Sequence, residues 1–340
     1  MVLDAMEMWK QLEKETNTNI FKNTGLLVVE DQAPHKSYTQ HLNAVKAVRK
    51  PHAVYTGSEI NDKYAGAVHY EKSYKGMVEL GAGLLKADKA LRSFQEQFKK
   101  FGGIIHDEEG VIEVIPGDII TVTTNKGQYR TKRLVLAVGP WASKMLKPLG
   151  LNFPLQIMRV NVCYWKVKTP GVFNGFPCFI DCSVEWPIYG LPSHEYPGMV
   201  KVCKHGGYPI ASPEDRDLCK NQDDIKKMSQ YIQKFMPGLE AKPSIVESCM
   251  YTCTPDEIPI IGTYPNYNNL AYVCGLSGTG FKLAPALGKV MCELVTGQPL
   301  SHDISPYNPD RFYRKPDTYT DSTSNYRTPM KPAVQAKSKL

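Results

Sequence analysis

A glycine-rich turn, Gly275-Leu276-Ser277-Gly278-Thr279-Gly280, separates an apolar strand pattern from a long helix pattern. A helix N-terminus presents free backbone N–H groups and the positive end of the helix dipole, so this position suits an anionic ligand. Glycines let such a ligand approach the backbone closely. The order is G-x-x-G-x-G rather than the dinucleotide fingerprint G-x-G-x-x-G, so a diphosphate site does not follow. A tight turn that binds nothing is the alternative.

Lys282 lies in the first turn of the helix that follows this turn. A cation there opposes the helix dipole, which makes lysine an unfavourable choice for stability. The position suits a lysine that receives a substrate carboxylate. A solvated surface lysine is the alternative.

Cys249 lies at the end of a predicted strand, and a buried structural thiol is the commonest role of an intracellular cysteine. Cys249 and Cys253 form a C-x3-C pair, as do Cys178 and Cys182. Zinc sites usually use C-x2-C spacing or histidine partners, so we predict no metal site. The nine cysteines are scattered and odd in number, which indicates free thiols in a reducing compartment.

Four further side chains could act in a pocket, but each is ordinary by itself. Tyr189 and Tyr251 would normally be half-buried packing residues with a satisfied hydroxyl. His205 would normally be a surface or core histidine, and Lys201 carries no signal of its own.

The last three residues, Ser338-Lys339-Leu340, match a peroxisomal address that an import receptor reads at an exposed C-terminus. The preceding segment, 315–337, is rich in Pro, Ser, Thr, Asn and Lys, so we predict a disordered tail. A chance ending is the alternative.

The elements that must position these residues are of two kinds, α/β parts and antiparallel β parts. The patterns predict a mixed α/β protein whose two domains interleave along the chain. Helices are predicted near 1–15 and at 37–48, 87–101, 141–147, 223–235 and 281–296. Strands are predicted at 25–29, 104–105, 111–115, 119–123, 134–138, 155–167, 199–204, 244–251 and 269–274, with short alternating strands in 65–80.

Length and composition are consistent with two domains and exclude several classes. The 340 residues are 42% hydrophobic, which is enough for a sizeable core. The net charge is +7, but basic residues are dispersed among acids, so we predict no nucleic-acid site. No apolar run approaches the roughly 20 residues that span a bilayer, and no signal peptide is visible.

Several motifs together resemble the monomeric sarcosine oxidase family of FAD-dependent amine oxidases, and within it the peroxisomal sarcosine and L-pipecolate oxidases. The resemblance covers the chain to about Phe312. The two most specific motifs are ESCMYTCTPDE at 247–257 and SGTGFKLAP at 277–285. Weaker matches are Leu12 to Thr16, Thr24-Gly25, Gly139-Pro140-Trp141, PIYGLPS at 187–193 and MPGL at 236–239.

The resemblance implies an FAD joined through the sulfur of Cys249 to its 8α-methyl carbon. It also implies that the turn at the start of the last helix faces the flavin pyrimidine ring, where a helix end stabilises charge on the reduced ring. Other implied cofactor contacts are Gly278, Thr279, Gly280, Phe281 and Val111.

The same resemblance implies the catalytic roles. Lys282 would bind the substrate carboxylate, and Tyr189, Tyr251 and His205 would line the substrate pocket. Lys201 would lie over the flavin and help O2 to accept electrons. The implied reaction oxidises the C–N bond of a secondary amino acid to an imine, with reduction of O2 to H2O2, in a monomer that binds no nucleic acid and no membrane.

The sequence departs from the family pattern at three places. Thr279 stands where relatives usually have histidine, and Gly262 stands where they usually have an acid. The family also opens with a strand, G-x-G-x-x-G and a helix that hold the FAD diphosphate, and nothing in the printed sequence matches that unit. We therefore expect residues 1–340 alone to hold little or no FAD.

The expected FAD-binding domain comprises 1–24, 86–152 and 256–314, and the expected substrate domain comprises 25–85 and 153–255. Two other functions remain open from the sequence. One is an inactive binding or regulatory protein, and the other is a dehydrogenase that passes electrons to a carrier protein.

Overall fold

The computed structural model describes residues 1–31, 36–192, 194–219 and 221–313. The predicted tail and its C-terminal tripeptide lie outside these residues. The helices in them are α1 (Val2–Thr16), α2 (Lys36–Ala47), α3 (Gly57–Lys63), α4 (Ala87–Lys100), α5 (Ala142–Leu146), α6 (Asp223–Phe235) and α7 (Gly280–Thr296).

The strands in the same residues form four sheets. They are β1 (Phe21–Asn23), β2 (Leu26–Glu30), β3 (His52–Thr56), β4 (Lys75–Glu79), β5 (Gly83–Leu85), β6 (Val111–Ile115), β7 (Ile120–Thr124), β8 (Gln128–Thr131), β9 (Leu134–Leu136), β10 (Gln156–Lys166), β11 (Cys178–Asp181), β12 (Ile188–Pro192), β13 (Met199–Lys204), β14 (Tyr208–Ile210), β15 (Ile245–Cys253), β16 (Ile260–Tyr264) and β17 (Tyr267–Cys274).

The largest sheet has nine strands and is centred on the long strand β10. Its order is β14-β10-β13-β12-β11-β2-β4-β3, and β15 also pairs with β10. All of its pairings are antiparallel except that of β11 with β2. This arrangement confirms the antiparallel part of the predicted fold.

The two faces of this sheet serve different purposes. Val200 and Val202 belong to the main hydrophobic core, which α6 covers with Met228 and Ile232. Because side chains alternate along a strand, Lys201 of β13 points to the opposite face. The opposite face is the one that carries the candidate site residues.

A three-stranded sheet, β16-β17-β9, leads into α7. β17 pairs in parallel with β9 and antiparallel with β16. Val290 and Met291 of α7 pack against Ala271 and Val273 of β17. This strand–turn–helix unit confirms the α/β part of the predicted fold and fixes the direction of the turn before α7.

Most predicted elements are confirmed within two or three residues, and α6 has its predicted bounds. Two predictions are wrong. Residues 104–105 form no strand, and Ile104 is 74% exposed. In 65–80 only β4 is a strand. The strands of 111–131 form an antiparallel meander. The division into two domains with the bounds given above stays a prediction.

Among the described residues, no helix is both long enough and apolar enough to cross a bilayer.

Candidate active site

The turn between β17 and α7 is fastened to the end of β15 by Ser277. The Ser277 backbone N–H donates to the carbonyl oxygen of Thr252 at 3.0 Å. The backbone N–H of Thr254 donates to the Ser277 hydroxyl oxygen at 3.3 Å. Ser277 is buried and has a φ of 47°, so the hydrogen bonds hold an otherwise disfavoured left-handed backbone. The turn is therefore held in one position relative to β15.

Gly278 lies close to two rings in a left-handed backbone conformation. Its φ is 84°, and a Cβ atom there would lie 3.1 Å from the ring of Tyr251 and 3.2 Å from Cε1 of His205. The backbone conformation favours glycine, and any side chain would force the two rings to shift. The turn therefore lies directly against the two rings.

His205, Tyr251 and Tyr189 form one aromatic cluster beside Gly278. The ring centroids of His205 and Tyr251 are 5.6 Å apart, and those of Tyr189 and His205 are 6.2 Å apart. All three side chains are half-buried. We call these three rings the wall of the candidate site.

Burial sets the protonation of this wall. It raises the pKa of Tyr251 to about 12 and also raises the pKa of Tyr189, so both keep their hydroxyl protons at neutral pH. Burial, and then the charge of Lys282, lowers the pKa of His205 below its ordinary value of about 6.5. At neutral pH the wall is therefore uncharged and rich in hydroxyl and imidazole groups.

Lys282 brings a cation to this uncharged wall. Part of its side chain reaches solvent, but enough protein surrounds it that burial lowers its pKa. No carboxylate of the described residues forms an ion pair with it at 4.0 Å or less. An unpaired cation beside a neutral pocket is suited to an anionic ligand.

Lys201 lies on the same sheet face, in the middle of β13. Its ammonium nitrogen is 5.5 Å from the ring centroid of Tyr164, its cross-strand neighbour on β10. The face is shared because Tyr189 pairs with Cys203 of β13, two residues beyond Lys201. Lys201 and Tyr189 therefore lie on the same face of the sheet.

Cys249 is on β15, two residues before Tyr251 and hence on the same face. It pairs across the strands with Val160 and is exposed. Six other cysteines are buried and inert in comparison: Cys163, Cys178, Cys182, Cys203, Cys253 and Cys274. An exposed thiol on this face is available for attachment.

The N-terminus of α7 has no side-chain cap. Thr279 is the N-cap residue, but its hydroxyl donates to the carbonyl oxygen of Leu276 at 2.7 Å. The first backbone N–H groups of α7 are consequently open to a ligand on the side of the turn.

The structure brings together most of the residues singled out in the sequence. Gly278, Tyr251, His205 and Tyr189 are in contact, and Lys282 is close enough to lower the pKa of His205. Thr279, Gly280 and Phe281 form the end of the turn and the start of α7. Val111 lies apart, at the exposed start of β6 in the meander sheet.

Two residues that support the site, Ser277 and Thr254, were not predicted as site residues. In the sequence, Ser277 lies inside the glycine-rich motif and Thr254 lies inside the cysteine motif. The position of Ser277, a small polar residue in a glycine-rich turn, could have predicted that its hydroxyl supports the turn. No group of three or more potential metal ligands occurs among the described residues.

Comparisons with known proteins place this geometry in context. The FAD dependent oxidoreductase family matches residues 1–294. The peroxisomal sarcosine oxidase of Homo sapiens is 37% identical over 319 residues, which is 92% of this chain and 81% of the relative. The monomeric sarcosine oxidase of a Bacillus strain is 29% identical, over 91% of this chain and 81% of the relative.

A solved structure agrees at the level of the fold. NikD, an amino acid oxidase of nikkomycin biosynthesis, superposes with a TM-score of 0.80 at 18% identity. The match covers 91% of this chain and 82% of NikD.

Proposed function

This chain belongs to the FAD dependent oxidoreductase family, and we propose that it oxidises the C–N bond of a secondary amino acid to an imine, with O2 as the electron acceptor. One observation carries the proposal: the unpaired cation of Lys282 stands beside the neutral wall of His205, Tyr189 and Tyr251. The names of the relatives in Homo sapiens and Bacillus support a small secondary amino acid such as sarcosine. L-Pipecolate is a second candidate of the same class.

The described residues suit the ring end of FAD. The N-terminus of α7 has no side-chain cap, so it provides backbone N–H donors and a positive dipole end. Gly280 and Phe281 continue this surface. We assign these residues only to the flavin ring, and not to the FAD diphosphate, because residues 1–340 contain no segment with the G-x-G-x-x-G spacing of a diphosphate site.

Cys249 is the proposed covalent attachment point. Its thiol is exposed on the face that carries Tyr251, whereas its neighbour in the C-x3-C pair, Cys253, is buried. A thioether to the 8α-methyl carbon would fix the cofactor relative to β15. Such a link also tunes the redox potential of a flavin.

The proposed substrate is oriented by its carboxylate on Lys282. The flavin, when bound, would accept a hydride equivalent from the carbon attached to the amine nitrogen, and the amine N–H proton would pass to solvent, which leaves the imine. Neutral His205 and the protonated hydroxyls of Tyr189 and Tyr251 add no second charge beside the amine. They can therefore accept or donate hydrogen bonds and exclude water while the amine stays uncharged.

Lys201 is the proposed partner of O2. It is a fixed cation with no ion pair among the described residues, and it lies on the face that carries Cys249 and Tyr251. A fixed cation stabilises the negative charge that develops as oxygen accepts electrons.

Two alternatives differ in the electron acceptor or in activity. The inactive binding protein is not supported, because the matching family and the curated relatives are enzymes. A dehydrogenase would pass its electrons to a carrier protein instead of O2. Reoxidation of the reduced flavin in air would identify an oxidase, and its failure would identify a dehydrogenase. The named monomeric relative supports a monomer.

The tests use FAD-loaded protein, which is residues 1–340 joined to the diphosphate-binding unit of a family member, because residues 1–340 contain no G-x-G-x-x-G. The substrate class is tested by mixing this FAD-loaded protein anaerobically with glycine, sarcosine, N,N-dimethylglycine and L-pipecolate. We expect the flavin absorbance to bleach fastest with a secondary amine. Faster bleaching by glycine than by both secondary amino acids would contradict the proposed class.

Replacing Lys282 by methionine is expected to weaken binding of carboxylate substrates and inhibitors by about 2 kcal/mol, the lower end for losing one partner of a charge pair, because Lys282 is partly solvated. Inhibition constants for acetate measure the effect. Binding by the unaltered protein should also weaken as pH rises through the lowered pKa of Lys282, since the ammonium then loses its charge.

The control for this substitution is Lys289→Met, since Lys289 is a solvent-exposed lysine on the same helix. Equal acetate affinity in Lys282→Met and Lys289→Met would show that Lys282 does not bind the carboxylate.

We propose a peroxisomal location, which the name of the human relative and the C-terminal tripeptide 338–340 support. Deleting 338–340 is expected to leave a fluorescent fusion in the cytosol, because the import receptor then has nothing to bind. The same fusion with its native C-terminus is the control. A peroxisomal signal that persists after the deletion would reveal another import route.

A further inference from the structure

Trp9 of α1 contacts two residues in the first turn of α7, Phe281 and Lys282. It is 2% exposed, and its indole N–H donates to the carbonyl oxygen of Lys282 at 3.1 Å. Its ring stacks on Phe281, with centroids 5.6 Å apart and planes 17° apart. Phe94 of α4 makes an edge-on contact with the indole, with centroids 5.3 Å apart. The indole of α1 therefore contacts two other helices, α4 and α7.

The start of α7 is short of stabilising contacts of its own. Thr279 provides no side-chain cap, and the cation of Lys282 opposes the helix dipole. Pro285 lies inside the helix and has no N–H, so the carbonyl of Phe281 lacks its usual helical donor four residues on. A helix end with these features tends to fray. Trp9 supplies from another helix part of the support that this turn lacks.

Trp9 does not itself reach the pocket, so any effect on the reaction must pass through α7. The two contacts hold the ring of Phe281 and the backbone of Lys282 at once. They fix the direction in which the Lys282 side chain leaves the helix. The contacts with His205 and Tyr251 lie on the far side of the turn, at Gly278.

We propose that Trp9 is a positioning residue that sets the affinity of the site for the substrate carboxylate by holding the first turn of α7 and thereby the ammonium group of Lys282. This inference rests on the proposed role of Lys282. It adds a residue of α1, about 270 positions away along the chain, to the determinants of substrate binding.

The test uses Trp9→Phe, which keeps an aromatic ring for stacking and removes the N–H donor. Acetate is the carboxylate probe, and its inhibition constant is measured in FAD-loaded protein for Trp9→Phe, Lys282→Met and the double variant. Amide hydrogen exchange in 280–286 is measured in parallel. Trp165→Phe is the matched control, because Trp165 is also buried and donates its indole N–H to a backbone carbonyl, that of Val202, at 2.9 Å.

Trp9→Phe is expected to weaken acetate binding roughly fivefold, the worth of one hydrogen bond, with little change in kcat. Exchange in 280–286 should become faster. In the Lys282→Met background, Trp9→Phe should weaken acetate no further, because the group that it positions is gone. Trp165→Phe should leave acetate binding and this segment unchanged.

Unchanged acetate affinity in Trp9→Phe, alongside weaker binding in Lys282→Met, would overturn the inference and leave the role of Lys282 intact. The inference would also fail if Trp9→Phe weakened acetate equally with and without Lys282, or if Trp165→Phe had the same effect. Unchanged affinity in Lys282→Met would refute the role of Lys282 and the inference with it.

Discussion

Replacing Cys249 by serine is expected to turn a cofactor that stays with the chain in acid into one that is released completely. The sulfur is the only atom of that side chain that can form the proposed thioether, and serine keeps its size without a comparable nucleophile. The structure supports the choice of cysteine, since Cys249 is exposed on the site face whereas Cys253 is buried. The measurement is the flavin absorbance of the protein pellet after acid precipitation.

Cys292→Ser is the matched control, because Cys292 is exposed but lies near the far end of α7. It should keep all of its flavin in the pellet. Retention of covalent flavin by Cys249→Ser would assign the attachment to another residue.

Replacing Lys201 by methionine is expected to slow reoxidation of the reduced flavin by O2 by roughly 10²–10³-fold, the cost of losing one group that stabilises developing charge. Reduction of the flavin by substrate should change far less, because Lys282 rather than Lys201 is assigned to the substrate. Stopped-flow absorbance, with anaerobic reduction followed by mixing with O2, separates the two half-reactions.

Lys204→Met is the control for the charge. Lys204 is on the same strand but on the opposite face, with its ammonium nitrogen 5.6 Å from the ring centroid of Trp186. It should reoxidise at the normal rate. A defect of Lys201→Met confined to flavin reduction would move Lys201 from oxygen to the substrate.

Sequence periodicity predicted the elements whose apolar pattern is long. Helix α6 has buried positions at helical spacing, and strand β10 is a long run of consecutive buried residues, so the bounds of both are predicted within one residue. The turn 275–280 was found because glycine marks a change of chain direction. The preference for glycine at 278 came only from the structure, where Tyr251 and His205 lie close to the space that a side chain would occupy.

Sequence periodicity failed where elements are short or where contacts join distant segments. The strand at 104–105 was predicted from two isoleucines, but Ile104 is exposed and has no partner strand among the described residues. Strand β3 pairs with β4 although the paired residues, from Thr56 with Lys75 to His52 with Glu79, are 19 to 27 positions apart, and no local sequence pattern predicts that pairing. The sequence places Trp9 in the helix predicted near 1–15 but does not predict its hydrogen bond to Lys282, because that bond depends on tertiary packing.

The central claim is tested most directly by the stoichiometry of the complete reaction. FAD-loaded protein is mixed with sarcosine or L-pipecolate in air, and the amounts of substrate lost, O2 consumed and H2O2 formed are measured together. The account predicts that the three amounts are equal and that the flavin is bleached by the substrate and restored by O2. Substrate-dependent bleaching that O2 does not reverse, or no bleaching with any secondary amino acid, would contradict it.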